Sequence, residues 1–136
     1  LYYYVFKTDV HVSIENKLVL GIECKAYTEN AMLKRILVDF TLLKSRVPEV
    51  KCALLQLESQ LTGDYSKPTQ KIIYGSHSSH TIMSYFDIDL NIITLLEGER
   101  KVDEPIHRPT HYKELKKDVL ELGINHIADL LLPHKK

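Results

Sequence analysis

A chain of 136 residues with 44% hydrophobic composition has the size of one domain and can fill one core, so a single domain over residues 1–136 is expected. Eighteen basic and eighteen acidic residues cancel. That excludes the strongly basic balance by which many nucleic-acid proteins hold phosphate, and a DNA partner would require basic residues gathered on one face. Cys24 and Cys52 are too few for a disulfide scaffold and match no metal or redox spacing, and the longest apolar runs are strand-sized; neither a membrane span nor an oxidising compartment is expected.

The chain opens on an apolar, aromatic, strand-like run, Leu1-Tyr2-Tyr3-Tyr4-Val5-Phe6, without an initiator Met. Such a run is ill suited to a free terminus, so a missing N-terminal segment is expected, with the three tyrosines packed in or over the core. Residues 2–26 read as β structure. Val10, Val12 and Ile14 alternate with His11 and Ser13, the period of a half-buried strand, and Asn16-Lys17 forms the polar break before an almost continuously apolar strand at residues 18–24. The two are expected to lie side by side and antiparallel.

Thr28 as N-cap and Glu29-Asn30 as an acidic first turn open a helix, in which Met32, Leu33, Ile36, Leu37, Phe40 and Leu43 recur at helical spacing until Pro48 forces a stop. A buried strand follows at residues 51–57, bounded by the turn signal Thr62-Gly63-Asp64. Strand, strand, helix, strand is an α/β pattern. Further on, residues 71–74 suit a short strand, 75–80 a polar loop, 81–86 either a helical turn or a strand, and 88–96 a strand. Residues 97–101 mark a turn, and the stretch through Pro105 and Pro109 reads as surface loop. Residues 112–122 and 124–132 suit two amphipathic helices separated at Gly123, a helix-stop residue.

Chemistry concentrates at Asp9 and Glu23-Cys24-Lys25. Residues two apart on a strand share a face, so Glu23 and Lys25 project together while Cys24 turns away, and a short turn between the strands can bring Asp9 alongside. Two carboxylates and an ammonium at the edge of an apolar sheet form an unstable set of buried charges that a bound cation would offset. Phosphodiester hydrolysis needs an activated water and stabilisation of charge on the phosphoryl oxygens, and carboxylate-held Mg²⁺ can provide both. Asp9 and Glu23 are the expected ligands, with the Cys24 main-chain carbonyl as a third oxygen. Lys25 would orient or deprotonate the attacking water, or stabilise the transition-state charge. A bare carboxylate–x–lysine pair occurs often as a salt-bridged strand end. Here an apolar strand, a turn-spaced Asp, a helix and a buried strand surround it.

The pattern Asp9…Glu23-x-Lys25, followed by a helix and a buried strand, resembles the PD-(D/E)xK nuclease superfamily, chiefly its type II restriction endonucleases. Ile22-Glu23-Cys24-Lys25-Ala26-Tyr27 is similar to the catalytic strand of several such nucleases, whereas Lys7-Thr8-Asp9 departs from the common Pro-Asp form. The resemblance covers residues 1–60. It implies a restriction-endonuclease-like core, a mixed four- to five-stranded sheet flanked by helices, usually with a helix before the first strand that nothing in this sequence supplies. It also implies Mg²⁺, double-stranded DNA, a homodimer or paired subunit, and the cytoplasm of a bacterial or archaeal cell. A repair or recombination nuclease, or a non-catalytic DNA-binding or scaffolding subunit of the same fold, is the alternative.

For DNA contacts, the sequence offers His77, Ser78, Ser79 and His80 in the polar loop, and Lys34 and Arg35 on the first helix, which equally suit an ordinary connection and a solvated helix face. The His77/His80 and His107/His111 spacings lack cysteine partners and read as loop histidines rather than a zinc site. Gln56 and Glu58, on the strand after the helix, are candidates to support the site from behind.

Overall fold

The computed structural model describes residues 7–68 and 75–134; the aromatic opening run, its tyrosines and the strand expected at 71–74 lie outside the described residues. The first two strands, β1 (Val10–Ile14) and β2 (Lys17–Thr28), form an antiparallel hairpin in which Val10 faces Ile22 and Ile14 faces Lys17. Glu15 and Asn16 close it with φ of 50° and 64°. Positive φ at both central residues is the primed turn whose twist matches a hairpin, so the break falls one residue earlier than the polarity pattern suggests.

Strand β2 continues to Thr28, four residues past the expected end, because its last residues keep pairing: Tyr27 aligns with Glu58, and Thr28 with Ser59. Thr28 is therefore fully buried in the ladder, its carbonyl accepting from Gln60 N at 2.8 Å, and it does not cap the helix. Glu29 occupies the cap position of α1 (Asn30–Arg46) without a side-chain cap bond, and its carbonyl accepts from Leu33 N at 2.9 Å. The helix buries Leu33, Ile36, Leu37, Phe40 and Leu43, the stripe its sequence spacing predicts. It crosses to β3 (Lys51–Ser59), which lies parallel to β2, and β4 (Leu90–Thr94) adds in parallel to β3. The sheet is thus mixed and four-stranded among the described residues, in the order β1-β2-β3-β4.

Helices cover both faces. On one, α1 packs its apolar stripe onto Cys52, Leu54, Leu90 and Ile92. The approach is closest at Gly21, where a Cβ would stand 3.2 Å from Thr8 Oγ1 and 3.3 Å from both Phe40 and Leu43. On the other face, α3 (Lys117–Leu131) sets Val119 and Ile127 against Ile93 and Leu95, and Leu130 and Leu131 against Val19, Leu20 and Ile22.

Two expectations in the second half need correction. Residues 77–80 are not loop: α2 (His77–Ser84) starts here, capped by Ser76, whose Oγ accepts from Ser79 N at 3.1 Å. The Ser-rich stretch that reads as a polar loop is a helix N-terminus, where the Ser76 hydroxyl satisfies an orphan amide. Gly123 does not stop a helix. It lies buried within α3, facing Ile93 and Leu95, while residues 112–116 precede the helix rather than begin it. Burial of one continuous apolar face outweighs the local cost of a glycine.

Candidate active site

The site forms where the start of β1 meets the middle of β2. Asp9 stands just before β1, and the hairpin register carries it beside Glu23-Cys24-Lys25. Its Oδ2 accepts from the Cys24 backbone N–H at 2.7 Å and lies 3.6 Å from Lys25 Nζ. Lys25 Nζ donates to Glu23 Oε2 at 2.9 Å. The strand period does what the sequence spacing requires of it: Glu23 and Lys25 share the α1 face of the sheet, while the Cys24 main chain holds the third member.

Exposure grades across the set. The Asp9 side chain is 48% exposed, Lys25 34% and Glu23 11%. The Cys24 N–H holds the Asp9 carboxyl below its ordinary range, partly opposed by burial, and the Lys25 charge lowers it further. The Glu23 hydrogen bond raises Lys25 above the usual lysine value, which keeps it an ammonium. Asp9 and Glu23 lie close enough for their side chains to interact.

An open pocket of about 330 Å³ lies in front of these groups, lined by Lys7, Asp9, Glu23 and Lys25 on the sheet side and by Met32, Arg35, Ile36 and Asp39 from α1. Both Arg35 and its neighbour Lys34 are exposed, but only Arg35 lines the pocket. Sequence reasoning missed Lys7 and Asp39. Asp39 follows Arg35 by one helical turn, and that spacing, once Arg35 is placed at the pocket, is the signal that finds it.

The remaining candidates separate by burial. Gln56 aligns with Lys25 across the β2–β3 ladder, is buried, and donates to Thr94 Oγ1 at 2.9 Å, outside the pocket. Glu58 is also buried but pairs with Lys113, outside the pocket. Ser79 is fully buried, with its Oγ 3.0 Å from both Asn30 Oδ1 and the Leu61 carbonyl. It anchors α2 and presents no surface to a duplex, whereas His77, Ser78 and His80 are exposed. None of these four lines the pocket that holds Asp9. Among the described residues, no helix is long and apolar enough to cross a membrane.

Neither a protein-family profile nor a solved structure matches the chain. A curated relative does: the type II restriction enzyme DdeI of Desulfomicrobium norvegicum is 60% identical over 131 residues, which are 96% of this chain and 54% of that protein. The mixed sheet flanked by helices fits a restriction-endonuclease-like fold. The chain is thus related, over nearly its whole length, to a type II restriction enzyme of which it spans about half.

Proposed function

We propose that the chain carries the catalytic centre of a site-specific endonuclease of the PD-(D/E)xK type, acting on double-stranded DNA with Mg²⁺. The observation that carries this reading is the convergence of Asp9, Glu23 and Lys25 on one open pocket, and the 60% identity to a restriction enzyme supports it.

The donor set suits a hard divalent cation. Asp9 commits Oδ2 and Glu23 commits Oε2 to partners within the protein, so each carboxylate keeps a second oxygen to offer. Among the described residues no cluster of three or more His, Cys, Asp or Glu forms a ready metal cage. Two carboxylates, with the Cys24 carbonyl and waters completing the shell, match the habit of Mg²⁺, which dehydrates reluctantly and keeps several waters. When bound, such an ion lowers the pKa of a water and neutralises charge on the phosphoryl oxygens. The protein does the rest. The Cys24 N–H fixes Asp9, and Lys25, hydrogen-bonded to Glu23, stands where it would orient or help deprotonate the attacking water, or face the charge that accumulates on the phosphate. Cutting both strands of a duplex commonly takes two such centres related by a two-fold axis, so we assign a homodimer or paired subunit. A restriction enzyme works where foreign DNA arrives, in the cytoplasm of a bacterial or archaeal cell.

The test is the variant series Asp9→Ala, Glu23→Ala and Lys25→Ala in the full-length protein. Each is expected to lower the cleavage rate by at least about 100-fold while leaving duplex binding within a few-fold of wild type. Full activity in any of the three would remove that residue from the mechanism.

A further inference from the structure

We infer that Arg35 is a backbone-phosphate anchor of the cleavage site, an assignment that rests on the nuclease reading above and adds to it a residue on the helix wall. The argument begins with charge. The pocket is lined by three cations, Lys7, Lys25 and Arg35, and three carboxylates, Asp9, Glu23 and Asp39. Lys25 is committed to Glu23 and Asp9. Arg35 forms no ion pair or hydrogen bond among the described residues, although Asp39 lies one helical turn away on the same pocket wall. An unneutralised guanidinium thus lines the same pocket as the catalytic carboxylates.

Position strengthens the case. Arg35 sits directly before Ile36 and Leu37, which are buried in the core, so the backbone that carries it is held by the best-packed helix of the fold. A guanidinium on a fixed helix backbone offers a planar fork that matches two phosphate oxygens. Lys34 differs by about 100° around the helix and does not line the pocket. The two neighbouring cations therefore have different roles: Arg35 touches the backbone at the cleavage site, and Lys34 does not.

The experiment measures binding of a fluorescent duplex to the full-length protein by anisotropy over a salt series in EDTA, for wild type, Arg35→Ala, Arg35→Lys and Lys34→Ala. Each lost phosphate contact lowers the slope of log K against log salt by about 0.9. Arg35→Ala is expected to lose about that much slope and to bind several-fold more weakly on any duplex sequence; Arg35→Lys recovers the slope, and Lys34→Ala keeps it. Loss of a merely structural contact would not move the slope. Both positions are exposed, and matching thermal melts show that each variant is folded. An unchanged slope in Arg35→Ala, or an equal drop in Lys34→Ala, overturns the assignment. Cleavage with Mg²⁺ run beside it keeps the two claims apart. Wild type that cuts while Arg35→Ala keeps its slope defeats Arg35 alone, whereas wild type that neither binds nor cuts defeats the nuclease reading and Arg35 with it.

Discussion

Between Glu23 and Lys25, the main chain of Cys24 decides how Asp9 is held, through a 2.7 Å bond from its amide to a carboxylate that the sequence could only place nearby. The side chain of Cys24 points away from that work and is exposed, its thiol raised by partial burial and by the Asp9 and Glu23 charges, while Cys52 is buried and its thiol is pushed up to about 11 by desolvation. The two cysteines should therefore differ sharply towards a thiol reagent at neutral pH. Only thiolate reacts, and a buried thiol with so high a pKa supplies almost none. Cys24 is expected to react in the folded protein and Cys52 only after denaturation; two equally fast thiols in a disulfide-exchange titration would contradict the placement of Cys52 in the core. At this scale the sequence was informative where geometry follows from period alone. Glu23 and Lys25 had to share a face, and a short hairpin could return Asp9 to them, although the register depends on a turn at Glu15-Asn16 and a shift between Val12 and Ser13. It was silent on Lys7 and Asp39, whose relevance depends on where α1 lies over the sheet. It misplaced Ser79, because a capped helix start and a polar loop have the same composition.

Helix α1 was legible because its apolar stripe is wide and regular, and all five of its buried residues fall on that stripe. Phe40 is fully buried at the centre of the stripe, close against Gly21. Phe40→Ala is expected to cost about 3–5 kcal/mol in urea unfolding, the range for emptying a core aromatic site. Since α1 also forms one wall of the pocket, cleavage should fall with stability in that variant. Helix α3 was less legible. Gly123 read as a stop, yet the helix runs through it. A Cβ there would meet Ile93 and Leu95 at 3.4 Å, an ordinary contact distance. Gly123→Ala should thus add helix propensity and a little packing, raising stability by about 0.5–1 kcal/mol. A loss of stability would show that α3 sits closer to β4 than these distances indicate. The Thr28 cap failed for a related reason: strand pairing beyond the apolar run captured a residue whose type favours helix starts.

Across the whole molecule, the alternation of strand and helix specified the α/β class, and the order β1-β2-β3-β4 follows from a hairpin and two parallel crossovers. The bulk charge of zero carried no functional information, since charge here acts locally, as three cations and three carboxylates around one pocket. The claim that joins these scales is that the pocket hydrolyses DNA at chosen sites. Digestion of plasmid and genomic DNA by the full-length protein, with Mg²⁺ or with EDTA, tests it most directly. Discrete fragments that appear with Mg²⁺ and are absent with EDTA are the predicted result; tight DNA binding without cleavage under either condition would contradict it and make the protein a non-catalytic DNA-binding subunit of the same fold.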